Sequence, residues 1–550
     1  MVLPRTTRRT KADAIVMVSY LSAAVLLYGL LWTNLESGYL TNSVRDQNLF
    51  EWFLAVAAHD PGLVSTLLNH PAGVNMMANT SVLGLGIPLA PVTWLFGPTV
   101  TWAVVLTGGI AGSAAAWYWV ISRHLVRSTA GAAIGGAFCA FAPPMVSHAN
   151  AHPNFVALFV IPFIVSRLIV LPGNPVRHGV VLGILVAYQV FLGEEPLLIA
   201  AIALVVHACV QRSVVTRALC KGLGIAAAVA LSLLAYPLWV QFAGPQSYSR
   251  MGHGGAGNDL ASMTMFASDS LAGDPAVAGR IAINRTEESA FFGWPLVILV
   301  VVLGIWLWPV ARALVVTAVS MAVLSLGWEL VIHGLHTGIP LPWRVLSQLP
   351  LLDSVLGARL SMACVPVIGI LIATGWQRIS LDSPHARLLW LGMLSAALLP
   401  IVPVPLEVSA RPATPPFFTD GTWRQHVQGG SVVVVPLPSP DFPSPMHWQV
   451  AAGMGFPLAE GYFVGPGSNG EGHYGAVRTK TSQLLADVAD TGDLPVIGPA
   501  ERAQAAADIG LWRADAVVLG PHPRQGALYQ ACRALFGVGR HEGGVWVWSM

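Results

Sequence analysis

The sequence predicts an α-helical polytopic membrane protein with about eleven transmembrane helices, followed by a C-terminal extracytoplasmic α/β domain. Of the 550 residues, 54% are hydrophobic and only 10% are charged, whereas a soluble globular protein carries roughly 25% charged residues. Apolar runs near the length of about 20 residues that crosses a bilayer recur through residues 1–405. After that point they stop, so the first part of the chain requires a lipid bilayer and the second part requires water.

We place the transmembrane spans on these apolar runs. Their approximate bounds are 14–33, 98–122, 129–146, 155–172, 178–193, 196–211, 222–243, 290–309, 313–332, 360–377 and 387–405. The first run is too long for a signal peptide and lacks a small-residue cleavage site, so we interpret it as a retained span. The stretch 81–96 is apolar but broken by glycine and proline, which favours a re-entrant or interfacial segment.

The distribution of basic residues sets the orientation. Eleven spans place the loop arginines on the side of the basic N-terminus, which the positive-inside rule assigns to the cytoplasm. These cations include Arg5, Arg8, Arg9, Lys11, Arg123, Arg127 and Arg217. Most loop acids then lie outside the plasma membrane, with Asp382 as the main exception.

Residues 1–405 therefore form a membrane domain, with a long first outer loop at 34–80, and residues 406–550 form a second domain. An odd number of spans from a cytoplasmic N-terminus places that second domain outside. Runs typical of strands and helices indicate its α/β character. The predicted strands are Ser431–Pro436, Ala514–Leu519 and Gly544–Trp548, and the predicted helices are Thr479–Val488 and Ala500–Trp512.

Charge and cysteine content exclude some classes of function. The net charge is +2 and no basic stripe is present, so we expect no nucleic-acid partner. The five cysteines offer no disulfide framework, because four of them fall in or directly beside predicted spans and Cys532 stands alone.

The first outer loop carries an acid ahead of a predicted helix. Asp46 and Gln47 precede the stretch Asn48–Ala58, whose apolar spacing predicts an amphipathic helix lying at the membrane interface. A carboxylate there is suited to accept a proton from an attacking hydroxyl. Asp46 could equally cap the helix, since aspartate is favoured at helix N-termini.

Two further outer loops carry polar clusters. His148, Asn150 and His152 could bind a phosphate or a sugar by hydrogen bonds, and on a helix the two histidines would share a face suited to a divalent ion. The nearby prolines, among them Pro143, argue against a regular helix. Ordinary loop polarity is the alternative.

The acids Glu194 and Glu195 lie at the end of one span and the start of the next. Ionisable groups at that depth usually face a water-filled cavity, so either acid is a second candidate for the base or for a metal ligand. A solvated turn would look the same in sequence.

Arginines mark a candidate phosphate site. Arg344 and Arg359 flank the loop before the predicted span 360–377, and Arg285 lies in the loop 244–289. Arginine pairs with phosphate oxygens in a bidentate fork, so these three residues could hold a lipid phosphate or pyrophosphate. Interfacial snorkelling would also explain them.

The layout resembles the GT-C superfamily of integral-membrane glycosyltransferases, in particular poorly characterised bacterial members, often actinobacterial ones. The resemblance rests on the long acidic first loop, the many spans and the outer C-terminal domain. The segments that carry it are Asp46-Gln47, Ala142–His148 and Leu341–Arg344 with Ala358-Arg359. It implies that Asp46 is the first-loop carboxylate and that the donor is a polyprenyl-phosphate sugar, transferred with inversion. Many members have two acids at this place, whereas here Gln47 follows Asp46.

The sequence thus predicts a glycosyltransferase, a hexosyl- or pentosyltransferase, that works in cell-envelope biogenesis on a glycan, lipid or protein acceptor among membrane lipids. No cofactor is fixed, and a divalent metal, Mg²⁺ or Mn²⁺, stays open. The alternatives are a flippase for a lipid-linked glycan and a non-catalytic envelope assembly protein. A flippase should show paired broken helices in corresponding halves, and the sequence indicates one broken segment, 81–96.

Overall fold

The computed structural model of the protein describes residues 9–379 and 384–550. Arg5, Arg8 and Asp382, used above to orient the chain, lie outside the described residues. The chain divides into two compact units. The first comprises Met1–Ser43, Ala103–Leu234 and Gly252–Ser409, and the second comprises Val44–Trp102, Ala235–Met251 and Ala410–Met550. The first-loop residues 44–80 thus share a unit with the C-terminal residues.

Helices dominate the described chain. The α-helices are α1 (Arg9–Leu27), α2 (Gly29–Thr33), α3 (Val44–His59), α4 (Leu83–Gly86), α5 (Ala90–Phe96), α6 (Pro98–Val120), α7 (Thr129–Phe141), α8 (Pro143–Ala149), α9 (Pro153–Val156), α10 (Val160–Val170), α11 (Pro175–Leu192), α12 (Glu194–Val210), α13 (Arg217–Ala243), α14 (Pro275–Ala278), α15 (Trp294–Leu324), α16 (Trp343–Leu346), α17 (Cys364–Ile379), α18 (Pro384–Leu398), α19 (Pro416–Thr419), α20 (Ser444–Ala451), α21 (Lys480–Thr491), α22 (Pro499–Trp512) and α23 (Gln525–Phe536).

Short strands complete the structure. They are β1 (Gly38–Leu40), β2 (Val64–Ser65), β3 (Val74–Asn75), β4 (Glu329–Ile332), β5 (Leu335–Pro340), β6 (Val408–Ala410), β7 (Ser431–Val435), β8 (Val464–Pro466), β9 (Gly472–Tyr474), β10 (Ala514–Leu519), β11 (Arg540–Glu542) and β12 (Val545–Ser549).

The protein is a multi-pass membrane protein by its helices. Among the described residues, 7 helical segments are long and apolar enough to cross a bilayer. The number rises to 8 if the bent pair α7–α8 is counted as one span. They are Pro98–Leu125, Pro153–Gly173, Pro175–Leu192, Arg217–Ala243, Trp294–Leu324, Gly357–Ile379 and Pro384–Ile401. The predicted number of about eleven is not confirmed. One reason is that α12, predicted as a span near 196–211, has only 17 residues.

The helical stretch α15 turns back on itself. A straight helix of its 31 residues would be about 46 Å long. Its two ends instead meet near Ser361, whose hydroxyl donates to the carbonyl of Ser289. The amide of Asn258 donates both to Ser361 Oγ and to the carbonyl of Ser325, each at 3.4 Å. Pro309, which interrupts helical hydrogen bonding, lies inside the stretch. The two halves correspond to the separate spans predicted near 290–309 and 313–332.

A mixed four-stranded sheet in the second unit has the order β11-β12-β10-β7. β7 and β10 are parallel, while β12 runs antiparallel to both β10 and β11. Valines alternate into a core that also contains residues of α21, α22 and α23, including Val433, Val517, Leu485 and Leu528. The strands predicted at 431–436, 514–519 and 544–548 are present as β7, β10 and β12, and the two predicted helices as α21 and α22.

The helix predicted in the first loop is present, but its predicted place at the membrane interface is wrong. α3 begins at Val44 and ends at His59, and its residues from Gln47 to Ala58 are all buried. It packs against α4, α5 and α20 within the second unit. Aromatic residues point from more than one side of α3: Phe50 stacks on Trp102, while the Trp52 indole donates to Gln449 Oε1 at 2.7 Å. Protein therefore covers α3 from Gln47 to Ala58, and no apolar face of this stretch is left to lie on a membrane.

A buried ion pair lies on α3. Glu51 accepts from Arg411 Nη2 at 2.6 Å and from Nη1 at 3.1 Å, with both side chains at most 2% exposed. The Gln47 amide donates to Glu51 Oε1 at 2.8 Å. Burial alone would raise the pKa of Glu51, but Arg411 and then His447 outweigh it and lower that pKa to about 2.

We expect Glu51→Gln to lower the free energy of unfolding by about 3–5 kcal/mol, because Arg411 would stay buried without a counter-charge. The matched control is the double variant Glu51→Leu/Arg411→Met, which removes both charges and should unfold close to the parent. Since the folded pKa of Glu51 lies below its ordinary value of 4.5, the pair stabilises the fold fully above about pH 4.5 and loses this effect towards pH 2. Denaturant unfolding in detergent at pH 7 and at low pH measures this, and equal unfolding of parent and single variant at pH 7 would contradict it.

Candidate active site

Two of the predicted histidines meet at a bend in the first unit. The axes of α7 and α8 differ by 44°, and Pro143 and Pro144 occupy the first positions of α8. Proline is well tolerated in the first turn of a helix, where the N–H groups have no helical acceptor, so α8 can begin at these prolines. It ends at Ala149, and α9 begins at Pro153, so no regular helix carries both histidines, as the prolines predict. His148 lies in the last turn of α8 and His152 just before α9. Their Nδ1 atoms are 2.8 Å apart.

A glutamate completes this cluster. Glu287, from the loop between α14 and α15, places Oε2 3.9 Å from His148 Nε2 and Oε1 3.8 Å from His152 Nδ1. One potential ligand atom from each of the three residues lies within 4.8 Å of the others. His148 is fully buried and also lies 3.2 Å from Ser289 Oγ. We call His148, His152 and Glu287 the His-Glu cluster.

Arg359 joins the His-Glu cluster to Glu195. Its guanidinium donates to Glu287 through Nε at 3.1 and 3.0 Å and also through Nη2, while Nη1 lies 2.5 Å from Glu195 Oε2. The Arg359 Cζ atom is 5.1 Å from the centroid of the Phe155 ring, and the same ring stacks on His148 at 4.6 Å. The predicted phosphate ligand Arg359 is thus held by two carboxylates. Glu194 starts α12 next to Glu195 and is half-buried.

The charge state of Glu287 follows from these contacts. Burial pushes its pKa up, but the guanidinium of Arg359 and then the imidazole of His148 outweigh burial and lower the pKa to about 2. Glu287 is therefore a carboxylate at neutral pH. It presents negative charge to the two imidazoles.

The predicted residues Asn150 and Arg285 lie in an adjacent network. The Asn150 amide donates to Asp269 Oδ2 at 2.9 Å, and Arg285 Nη2 donates to Asp269 Oδ1 at 3.0 Å. Glu288 accepts from the backbone N–H of Ser268 at 2.7 Å and also from its hydroxyl. Ser147 Oγ donates to the carbonyl of Arg285 and accepts from Glu288 N–H, which fixes this loop against α8.

Asp46 belongs to the second unit and lies in the first turn of α3, not ahead of it. Tyr462 donates its hydroxyl to Asp46 Oδ1 at 2.8 Å. Burial and the Asp46 carboxylate raise the pKa of Tyr462, so the phenol stays protonated and acts as a donor. Gln47, next in the chain, is fully buried on the Glu51–Arg411 pair. A substrate would reach Gln47 only after a change in packing.

Arg344 differs from the other two predicted phosphate ligands. It lies on the short helix α16 and is exposed. Among the described residues its guanidinium forms no ion pair within 4 Å, whereas Arg285 and Arg359 do. Arg344 is thus the member of the three whose charge faces solvent.

Solved structures with a similar arrangement of helices identify the fold. The mycobacterial arabinofuranosyltransferase AftD matches 100% of this chain with a TM-score of 0.58 at 13% identity. The oligosaccharyltransferase of Archaeoglobus fulgidus in its apo form matches 94% with a TM-score of 0.51 at 11% identity. The oligosaccharyltransferase AglB from the same organism, in complex with an inhibitory peptide and a dolichol-phosphate, matches 99% with a TM-score of 0.50 at 11% identity. The chain has the GT-C fold.

The chain corresponds to only part of each of these solved structures. The chain spans 40% of the length of AftD and 70% and 75% of the two oligosaccharyltransferase chains. No protein-family model matches the sequence, and no curated protein matches it. The resemblance to the GT-C superfamily that the sequence predicts is therefore confirmed as a likeness of fold.

Sequence reasoning missed three side chains that the structure puts beside predicted ones: Glu287, Asp269 and Tyr462. A signal for Glu287 was present, since Glu287-Glu288 is a pair of adjacent acids just before a predicted span, the same pattern that drew attention to Glu194-Glu195. Tyr462 carried no such signal. It is separated from Asp46 by 416 positions.

The donor atoms of the His-Glu cluster fit Zn²⁺ better than Mg²⁺, because imidazole suits Zn²⁺ whereas Mg²⁺ prefers oxygen ligands, and Mn²⁺ lies between the two. We expect chelator-stripped protein to bind about one equivalent of Mn²⁺ or Zn²⁺, and His152→Gln to weaken that binding at least about tenfold. Metal content by mass spectrometry and titration measures this. Glu288→Gln is the matched control, since Glu288 faces Ser268 and lies outside the cluster. Equal metal binding by parent and His152→Gln would exclude the site.

Proposed function

We propose that this chain is a membrane glycosyltransferase that moves a sugar from a polyprenyl-phosphate donor to a cell-envelope glycan, lipid or protein acceptor on the outer face of the plasma membrane. The observation that carries the proposal is the match of the whole chain to the fold of AftD. The AglB structure, which holds a dolichol-phosphate, supports a lipid-phosphate donor. Because the sequence identities are 11–13%, the choice of sugar and acceptor has to come from this chain's own residues.

Asp46 is the proposed general base. In an inverting transfer the acceptor oxygen forms its bond to the anomeric carbon as the bond to the lipid phosphate breaks, and the acceptor's proton passes to a carboxylate. Tyr462 occupies Asp46 Oδ1, and in the described part of the chain Oδ2 accepts no hydrogen bond. Oδ2 is therefore the atom that would take the proton.

The leaving phosphate needs positive charge. Arg344 is exposed and makes no ion pair within 4 Å among the described residues, so we assign donor-phosphate binding first to Arg344. Arg359 would have to exchange Glu195 or Glu287 for phosphate, and Arg285 would have to exchange Asp269. A divalent ion held by the His-Glu cluster would add charge that stabilises phosphate oxygens.

A flippase for a lipid-linked glycan is the second candidate, and one observation bears on it. Besides the broken segment at α4–α5, the pair α7–α8 is bent by 44°. Both breaks lie within residues 83–149, in one half of the chain, so they are not the pair in corresponding halves that a flippase predicts. The likeness to two glycosyltransferases favours transfer. Purified protein incubated with labelled polyprenyl-phosphate sugars and acceptor lipids or glycans tests it directly, because a flippase forms no new glycosidic bond.

We expect Asp46→Asn to lower the transfer rate by about 10²–10⁴, because the amide cannot take the acceptor's proton. The side chain keeps its size, its oxygen can still accept from Tyr462, and asparagine serves as well as aspartate near a helix N-terminus. Folding and donor binding should persist. Transfer from a labelled donor is the measurement, with the melting temperature as the control for folding. A rate near that of the parent would move the base to Glu194 or Glu195, to be tested by the same amide substitutions.

We expect Arg344→Ala to raise the KM for donor more than it lowers kcat, because a phosphate contact made equally in ground and transition states affects binding. Arg344→Lys should restore only part of the affinity, since an ammonium cannot make the bidentate fork. Initial rates over a range of donor concentrations separate the two constants. If both variants keep the parental KM, Arg344 is an anchor to the membrane surface.

A further inference from the structure

The candidate base lies beside two tyrosines in the second unit. Tyr462, whose hydroxyl bonds Asp46, is 8% exposed. Its ring centroid is 6.4 Å from that of Tyr474, with the planes at 48°. Tyr474 ends β9 and is 48% exposed. From the carboxylate outwards, Asp46, Tyr462 and Tyr474 thus form a row that ends in a half-exposed tyrosine ring.

The hairpin that carries Tyr474 is firmly held. β8 and β9 pair antiparallel through Val464 to Tyr474. The turn between the strands is bound to the segment after α13, since Ser249 N–H donates to Gly470 O at 3.0 Å and Gly472 N–H donates to Arg250 O at 2.7 Å. Arg250 also donates twice to Glu471 Oε1, at 2.9 and 2.7 Å.

The start of β8 is fixed on its other side, because Val464 N–H donates to Asn79 Oδ1 at 2.7 Å. The Asn79 amide in turn donates to the carbonyl of Val464 at 2.8 Å. Anchored on both sides, the hairpin presents the Tyr474 ring at a defined place instead of on a mobile loop.

The surroundings of Tyr474 fit a sugar better than a lipid chain or an extended peptide. The C–H face of a sugar ring packs on an aromatic face while its hydroxyls bind polar groups around it. The hairpin carries polar side chains in Asn469, Glu471 and His473, of which Glu471 is paired with Arg250. A lipid chain would need a continuous apolar surface, which a hairpin of this composition does not offer.

We propose that Tyr474 and Tyr462 form an acceptor subsite that stacks a sugar ring of a glycan acceptor and directs one of its hydroxyls to Asp46. This inference rests on the proposed function, and it deepens it by naming the acceptor as a glycan. Tyr474 supplies the ring face. Tyr462 is a positioning residue that orients the carboxylate and closes the inner end of the row.

Binding of short synthetic glycosides tests the subsite without any need for catalysis. Octyl furanosides and pyranosides of arabinose, mannose and glucose serve as probes, titrated against purified full-length protein with saturation-transfer NMR as the readout. We expect Tyr474→Ala to weaken binding of the preferred glycoside about tenfold, because the stacking partner is lost. Tyr474→Phe keeps the ring and should retain most of the affinity. Val477→Ala is the matched control, since Val477 is 54% exposed and lies beyond β9.

The outcomes separate this inference from the proposed function. If glycoside binding depends on Tyr474 but the protein transfers no sugar, the subsite is supported and the proposed transferase activity is contradicted. Sugar transfer by the parent with equal glycoside use by parent and Tyr474→Ala would retain the transferase and overturn the subsite. Failure of the parent to bind any probe, or transfer only to peptide or lipid acceptors, would also overturn it.

Discussion

The first unit's candidate site depends on one buried cation. Arg359 is 17% exposed and is shared by Glu195 and Glu287, which are separated from it by 164 and 72 positions. A guanidinium removed from water is tolerable only with carboxylates around it, and removal of one partner leaves the other charge uncompensated. Arg359 therefore fixes the start of α12 and the loop before α15 relative to the start of α17. It also keeps Glu287 ionised where that carboxylate faces His148 and His152. The geometry of the His-Glu cluster follows from this charge balance.

Much of the fold can be read from the sequence because apolar run length and strand pattern are local properties. The valine run of β7 and the hydrophobic segments that became α6, α11 and α13 needed no knowledge of their partners. Errors arose where burial depended on distant residues. α3 reads as amphipathic by spacing, yet Phe50 on its apolar face stacks on Trp102, so the face expected to meet the membrane is covered by protein.

The candidate site was predicted residue by residue but not as a set of contacts. Polar residues in apolar surroundings are conspicuous, which is why Asp46, His148, His152, Glu195 and Arg359 could be chosen. Which of them touch is decided by the tertiary path of the chain. Arg359 was expected to meet phosphate and instead meets two glutamates, while Asp46 meets a tyrosine that no local pattern marked. The solvent exposure of the three arginine side chains likewise could not be predicted from the sequence. In the structure it distinguishes Arg344 from Arg285 and Arg359.

The second unit is assembled from three separate stretches of chain, and this has a consequence for biosynthesis. Glu51 and its partner Arg411 are 360 positions apart. At about 5–20 residues per second, the ribosome needs roughly 20–70 s to make the intervening chain. During that time the first loop has left the ribosome, but its counter-charge and the residues that cover Trp52 do not yet exist. The nascent loop must therefore remain hydrated or be shielded by a chaperone until the C-terminal residues arrive. Chains released early would carry an orphaned acidic, aromatic segment that quality-control proteases can recognise.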